Sequence, residues 1–202
     1  RSNEENIIKS NKQFEMLALD VLANEDEFKN ILPDLVNEFN ISAFEFGKIL
    51  SIADQEKKLL LDIVDAYRQY RGECSIQFLS GYLKIIFESD PTTWNDIIDN
   101  LIKDSAFANL IGRVIVSSGF NDFSIEKLLV RYDQNHLDIV SLSCFRFSNG
   151  LKNLKIENIQ EIVQRLYEAK KITSGLEFLE YVFCKPKDSK QLPLDLAFNL
   201  LK

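Results

Sequence analysis

The 202-residue sequence predicts an all-α protein, built as an α-solenoid of stacked antiparallel helical hairpins, with an irregular globular helical bundle as the alternative. Three observations carry this. Apolar residues recur at three- and four-residue spacing along almost the whole chain, with no convincing period-two run that would mark a strand. The breaks between these stretches are short, so successive helices should be antiparallel neighbours. Finally, residues 12–51 return, altered, as residues 91–130.

The elements follow in order. Helices are expected over 5–23 and 26–39, the second carrying Pro33 inside "FKNILPDLVNEF", where it should kink or split the helix. The next, 43–53, opens on Ser42 and Glu45, spaced as a capping box. Helices over 55–71 and 75–88 come next, with Gly72 between them as a stop. Asp90-Pro91 then opens 91–102, because proline at the first helical position sacrifices an N–H that has no partner anyway. Helices over 105–117, 122–133 and 137–146 are punctuated by Gly119 and Gly150. In 156–169, Ile156, Ile159, Ile162, Val163 and Leu166 form one stripe. Ser174 with Glu177 suggests a second capping box for 174–184, and a last helix covers 192–201.

Laid over each other at an offset of 79, without a gap, the two copies share seven identities, among them Asp20/Asp99, Phe28/Phe107, Phe44/Phe123 and Lys48/Lys127. Apolar pairs such as Leu19/Ile98, Leu32/Ile111 and Val36/Ile115 fill much of the rest, and Pro33 matches Gly112, two helix-weakening residues at one point. A partial third copy begins near 173 ("LEFLEYVF"). A period of this length holds two hairpins, and stacked hairpins bury their apolar faces against each other. The chain is therefore expected to be a single helical-repeat domain over 1–202. Because it opens on Arg1 and ends while still apolar, it reads as a piece of a longer polypeptide.

Composition narrows the function. Hydrophobic residues make up 46% of the chain, enough for a real core, yet charge interrupts every apolar stretch long before a bilayer could be spanned. No signal-peptide pattern opens the chain. Cys74, Cys144 and Cys184 lie far apart among apolar residues, which argues for buried free thiols in a reducing, cytoplasmic setting. Residues 1–143 carry 14 basic and 24 acidic side chains, and an acidic body repels phosphate backbones, so nucleic acid is a poor partner. Residues 144–202 reverse the balance, with 10 basic and 7 acidic. A nucleic-acid role would need the lysines of 146–155, 170–171 and 185–190 on one face.

Catalytic and metal signals are nearly absent. His136 is the one histidine, placed between two expected helices and without a second imidazole to share a metal. No phosphate-binding loop and no nucleophile elbow occurs. Acid pairs such as those in "DIVDAY" and "DIIDN" share a helix face but read as solvated surface, without the Glu-x-x-His companion of di-metal bundles. No catalytic, cofactor-binding or metal-binding residue is therefore assigned.

The candidate partner contacts are Arg146, Lys152 and Lys155, which flank a basic Gly/Asn turn, and Trp94, the one tryptophan. The first three read as a solvated connector or as a contact for an acidic partner. Trp94 either packs at a hairpin junction or anchors a partner, as tryptophans often do.

Over residues 81–166 the chain resembles the helical repeat arms of HEAT- or TPR-like proteins, and in texture those of the bacterial antiviral STAND NTPases. The resemblance rests on "GYL" at 81–83, the Asp90-Pro91-x-x-Trp94 start, "SGFND" at 118–122 and the "NGL" turn at 149–151. It implies an arm that recognises a foreign protein while nucleotide hydrolysis lies elsewhere. Together these readings predict a non-enzymatic protein-binding module, a recognition or scaffold segment of a larger cytoplasmic protein. The rival is an all-helical enzyme or small-ligand domain with a pocket between helices.

Overall fold

The computed structural model describes residues 2–70 and 74–184. Among these the chain is entirely helical, with no strand. It divides into two compact units between Trp94 and Asn95.

The first unit contains α1 (Ser2–Ala23), α2 (Glu25–Asn37), α3 (Ile41–Ala53), α4 (Leu60–Gln69) and α5 (Gln77–Ser89). The proline does not split α2, which runs through Pro33 with that residue exposed. Capping differs from expectation at α3. Asn40, not Ser42, is the cap, and its Oδ1 accepts the backbone N–H groups of Ser42 (2.8 Å) and Ala43 (3.2 Å). An asparagine two residues upstream reaches both first-turn amides and starts the helix earlier.

The helix expected over 55–71 begins only at Leu60, and Asp54 is the reason. Its buried carboxylate accepts the N–H groups of Lys58 and Leu59, both at 2.9 Å, holding 54–59 as a capping loop with Lys57 at φ 56°. The Tyr82 hydroxyl donates to the same carboxylate at 2.6 Å. One buried acid therefore ties the end of α3, the start of α4 and the middle of α5.

α3 lies at the centre of this unit, between α1 and α5. It approaches α5 so closely that neither helix has room for a β-carbon at the crossing. A Cβ on Gly47 would meet the Phe78 carbonyl and come within 2.9 Å of the Tyr82 nitrogen. One on Gly81 would meet the Phe44 carbonyl and come within 2.8 Å of its carbon. Aromatic rings fill the space beside the crossing: Phe46 stacks on Phe78 (5.8 Å), which Phe28 of α2 also meets (6.4 Å), while Phe14 of α1 reaches Phe46 (5.8 Å). Phe28, Phe46 and Phe78 are buried, each contributing roughly 1.5–3 kcal/mol.

The second unit contains most of α6 (Pro91–Lys103), then α7 (Ile111–Ser118), α8 (Asp122–Asp133), α9 (Val140–Ser143), α10 (Ile156–Glu168) and α11 (Ile172–Leu179). Asp90 caps α6 as expected, accepting Thr93 N–H at 3.1 Å. The helix expected over 105–117 is instead a 3-10 turn, Ser105–Phe107, followed by α7, because Asp104 caps the turn through Ala106 N–H (3.0 Å). The helix expected over 137–146 is cut to α9, started by Asp138, and continues as the 3-10 turn Cys144–Phe147. Ser174 lies inside α11 rather than at its start. The helix expected over 192–201 lies outside the described residues.

Three helices of this unit run side by side in the same direction. Asn121, the cap of α8, donates to Asn95 in the first turns of α6 (3.0 Å), and Arg131 near the end of α8 donates to the Lys103 carbonyl at the end of α6 (3.3 Å). Start meets start and end meets end. The same holds one helix on: Asp122 accepts from Lys155 N–H (2.8 Å) and the Asn158 amide (2.7 Å), while Asp133 accepts from Arg165 at 2.9 Å. The intervening helices α7, α9 and α11 form a second set, linked through the Cys144–Phe147 turn. Gly112 of α7 lies against the Ser141 backbone of α9, where a Cβ would come within 2.7 Å of the Ser141 Cα. Its role is close approach, not the helix weakening expected from its match with Pro33.

At the 79-residue offset, both members of Phe28/Phe107, Leu32/Ile111 and Val36/Ile115 are buried. In the first helices the buried positions match one residue later, Ala18 with Ile98 and Val21 with Leu101, whereas Leu19 is 64% exposed. One residue turns a helix by about 100°, so the gapless register pairs opposite faces there.

Candidate functional site

The basic turn is held by apolar anchors. Phe145, Leu151 and Leu154 are buried, and Phe145 meets Phe120 edge-on at 5.2 Å. Gly150 is not a helix stop: it lies within the 3-10 turn Asn149–Asn153, where a Cβ would come within 2.7 Å of the Phe120 ring. Gly119, by contrast, closes α7 at φ 130°, as expected.

Two of the three basic candidates are engaged within the unit. Arg146 pairs with Glu177 of α11 through Nε at 3.2 Å. Lys155 gives its backbone N–H to Asp122 and its ammonium to Glu126 at 3.4 Å. Lys152 is exposed and makes no ion pair among the described residues. The structure thus sets Arg146 and Lys155 against different carboxylates on different helices. Trp94 is fully buried with its ring edge-on to Phe87 at 4.9 Å, so its surface is not offered to a partner. Its indole N–H has no acceptor among the described residues.

The remaining basic clusters have local explanations. Lys170 adopts φ 58° and, with Lys171, closes α10 by donating backbone N–H groups to Tyr167 (2.9 Å) and Leu166 (2.8 Å). Asn135 and His136 close α8 in the same way, through the carbonyls of Tyr132 and Arg131. Arg68 pairs with Asp65 at 2.7 Å. Lys185, Lys187 and Lys190 lie outside the described residues, as do Gly72 and Arg71.

At least one acid of each pair is likewise engaged: Asp62 faces Lys29 (3.6 Å), and Asp99 faces Lys103 and Lys127, the Lys103 hydrogen bond above all holding its carboxyl below the usual carboxylate range. Burial pushes the Cys144 thiol up to about 12 while its Sγ donates to the Ser141 carbonyl (3.1 Å), the behaviour of an inert thiol. Cys74 is buried and Cys144 half-buried. Among the described residues no group of three or more His, Cys, Asp or Glu is placed to hold a metal, and no helix is long and apolar enough to cross a membrane.

Two surface features were not read from the sequence. A groove of about 450 Å³ lies between α2 and α4, floored by Leu32, Pro33 and Ala66 and flanked by Lys29, Asp62 and Tyr70. The second is the outer edge of α1 and α2. Met16, Leu17 and Leu19 are 57%, 41% and 64% exposed there. Beside them a small pit of about 80 Å³ opens between the two helices, walled by Leu17, Val21, Phe28 and Ile31, with Asp20 and Glu27 on its rim. The signal was present in "FEMLALDVLA": Met16, Leu19 and Ala23 lie opposite Phe14, Ala18 and Val21, so α1 is apolar on two sides. Comparison with family profiles, curated proteins and solved structures gives no match for this chain.

Proposed function

We propose that the chain is a non-enzymatic protein-binding module of stacked antiparallel helical hairpins, serving as a recognition or scaffold segment of a larger cytoplasmic protein. The observation that carries the reading is the parallel row α6, α8 and α10, backed by α7, α9 and α11. Such rows extend by adding hairpins and present long surfaces rather than deep cavities, so they suit extended contact with another macromolecule. The partial correspondence of 12–51 with 91–130 fits construction from copies whose registers have drifted. On the resemblance noted above, the parent protein would be an antiviral STAND NTPase, with this chain in its recognition arm.

The test is affinity capture of the full chain from cells that produce it, followed by native mass spectrometry of the eluted complex. A protein partner in fixed stoichiometry is the expected result. A co-purifying small molecule with no protein partner would favour the ligand-domain alternative and end this reading.

A further inference from the structure

We propose that the α1–α2 edge is the docking surface, and that its occupant is a basic amphipathic helix which lodges an aliphatic side chain in the pit between Leu17, Val21, Phe28 and Ile31. The proposal rests on the protein-binding reading and names the partner's chemistry. Helices inside a packed row bury their apolar residues: α3 leaves only Ile41 and Ile52 strongly exposed, one at each end. α1 leaves Met16, Leu17 and Leu19 exposed in the midst of its length. The exposed apolar face of α1 is of the kind that marks a partner site.

Shape and charge select the occupant. The pit's volume of about 80 Å³ suits one branched aliphatic side chain. The shallow furrow between two helices joined by the single residue Asn24 takes a third helix, as helix-in-groove recognition does. Between residues 12 and 31 the two helices carry five carboxylates, Glu15, Asp20, Glu25, Asp26 and Glu27, against Lys12 and Lys29. Lys29 is turned to Asp62 on α4. Neither Asp20 nor Glu27, the two acids on the rim, is in an ion pair among the described residues; Asp20 accepts only the Asn24 amide at 3.2 Å. A cationic helix answers this rim, whereas a second copy of the same edge or an anionic membrane would meet it with like charge.

The probe is a fluorescein-labelled 18-residue peptide of leucine and lysine, with leucines at alternating three- and four-residue spacing, followed by anisotropy with the full chain. Its controls are a scrambled peptide of identical composition and a leucine/glutamate analogue. The expected result is binding of the leucine/lysine helix at about 10 µM. Leu17→Asp should weaken it roughly tenfold, as loss of a central apolar contact does. Asp20→Lys with Glu27→Lys should weaken it similarly and flatten its salt dependence. Leu61→Asp, at an exposed leucine on α4, should change nothing. Circular dichroism of each variant checks that it is folded.

Equal binding of the scrambled peptide, equal binding by Leu17→Asp, preference for the leucine/glutamate analogue, or no binding at all overturns the proposal. Self-association abolished by Leu17→Asp would assign the edge to a second copy and overturn it too. If the peptide fails while native capture still yields a stoichiometric partner, the edge is wrong and the module reading stands. If capture yields none, the module reading falls whatever the peptide does.

Discussion

Replacing Gly47 with alanine sets two effects of known size against each other. In an isolated helix the change is favourable by about 1 kcal/mol, because glycine pays more backbone entropy than alanine. In this protein the new Cβ would run into the Phe78 carbonyl of α5 and sit 2.9 Å from the Tyr82 nitrogen and 3.3 Å from the Gly81 carbonyl carbon. All three are backbone atoms and cannot rotate aside, so α5 must move away from α3. Overpacking of this kind costs about 1–3 kcal/mol. The same displacement stretches the 2.6 Å bond from Tyr82 to the buried Asp54 carboxylate, a class of bond worth about 1.5–3 kcal/mol. Net destabilisation of about 1.5–5 kcal/mol follows once the propensity gain is subtracted. For a chain of this length that lowers Tm by roughly 3–20 °C. The assay is thermal and urea denaturation of the wild type, Gly47→Ala and Gly150→Ala. The last is the comparison, because its Cβ meets the Phe120 ring, a side chain that can shift. A Gly47→Ala protein that melts at or above the wild-type temperature, or a larger loss for Gly150→Ala, would refute the close-crossing account.

Three further outcomes follow from named contacts. Burial raises the Tyr67 and Tyr82 hydroxyls above their ordinary range near 10, the Asp54 carboxylate adding to the effect at Tyr82. Their contribution is therefore complete below pH 10 and declines as the unfolded state ionises above it, by about 1.4 kcal/mol per pH unit for each group. Tyr82→Phe should show a shallower alkaline slope in urea denaturation, and an unchanged slope would count against burial of the hydroxyl. Asp122→Ala removes the acceptor shared by Lys155 N–H and the Asn158 amide, and should cost about 1–3 kcal/mol in chemical denaturation. Lys152→Ala should stay within about 0.5 kcal/mol, and equal losses from the two would undo the connector reading. Cys144 should resist a thiol reagent at pH 8 in the native protein and react faster on unfolding, with the site located by peptide mass spectrometry; rapid native labelling would contradict its raised thiol.

What the sequence discloses here is the part of the fold that repeats locally. Helix positions follow from apolar spacing, and Asp90, Gly119 and the 156–169 stripe act as read. The errors lie where a single polar group decides between neighbouring solutions. Asn40 and Ser42 are both good caps, and only geometry selects Asn40. Asp54 looks like a helix residue by pattern, yet its carboxylate finds Lys58, Leu59 and Tyr82 and delays α4 to Leu60. That partnership spans 28 residues, beyond the reach of periodicity. The α3–α5 crossing was legible in principle: Ala43, Gly47 and Ser51 lie four residues apart on one face, and all three are buried. Gly112 gave a similar signal and was misread, because its alignment with Pro33 suggested a shared defect rather than a shared surface.

The one-residue slip between α1 and α6 has the largest consequence. An alignment scores Leu19 against Ile98 as a conservative pair, but a step of about 100° sends one into solvent and the other into the core. Identity of residue type thus says nothing about identity of role when helix phase is free to drift. Lysines and arginines near a loop draw the eye, yet Arg146 and Lys155 spend their charge on Glu177 and Glu126. Leucines in a helix look like core, yet Leu19 is 64% exposed and Leu17 only edges the core beside Val21 and Phe28. Exposed apolar side chains beside carboxylates that form no ion pair among the described residues gain nothing for the isolated fold, and the proposed basic helix would cover them.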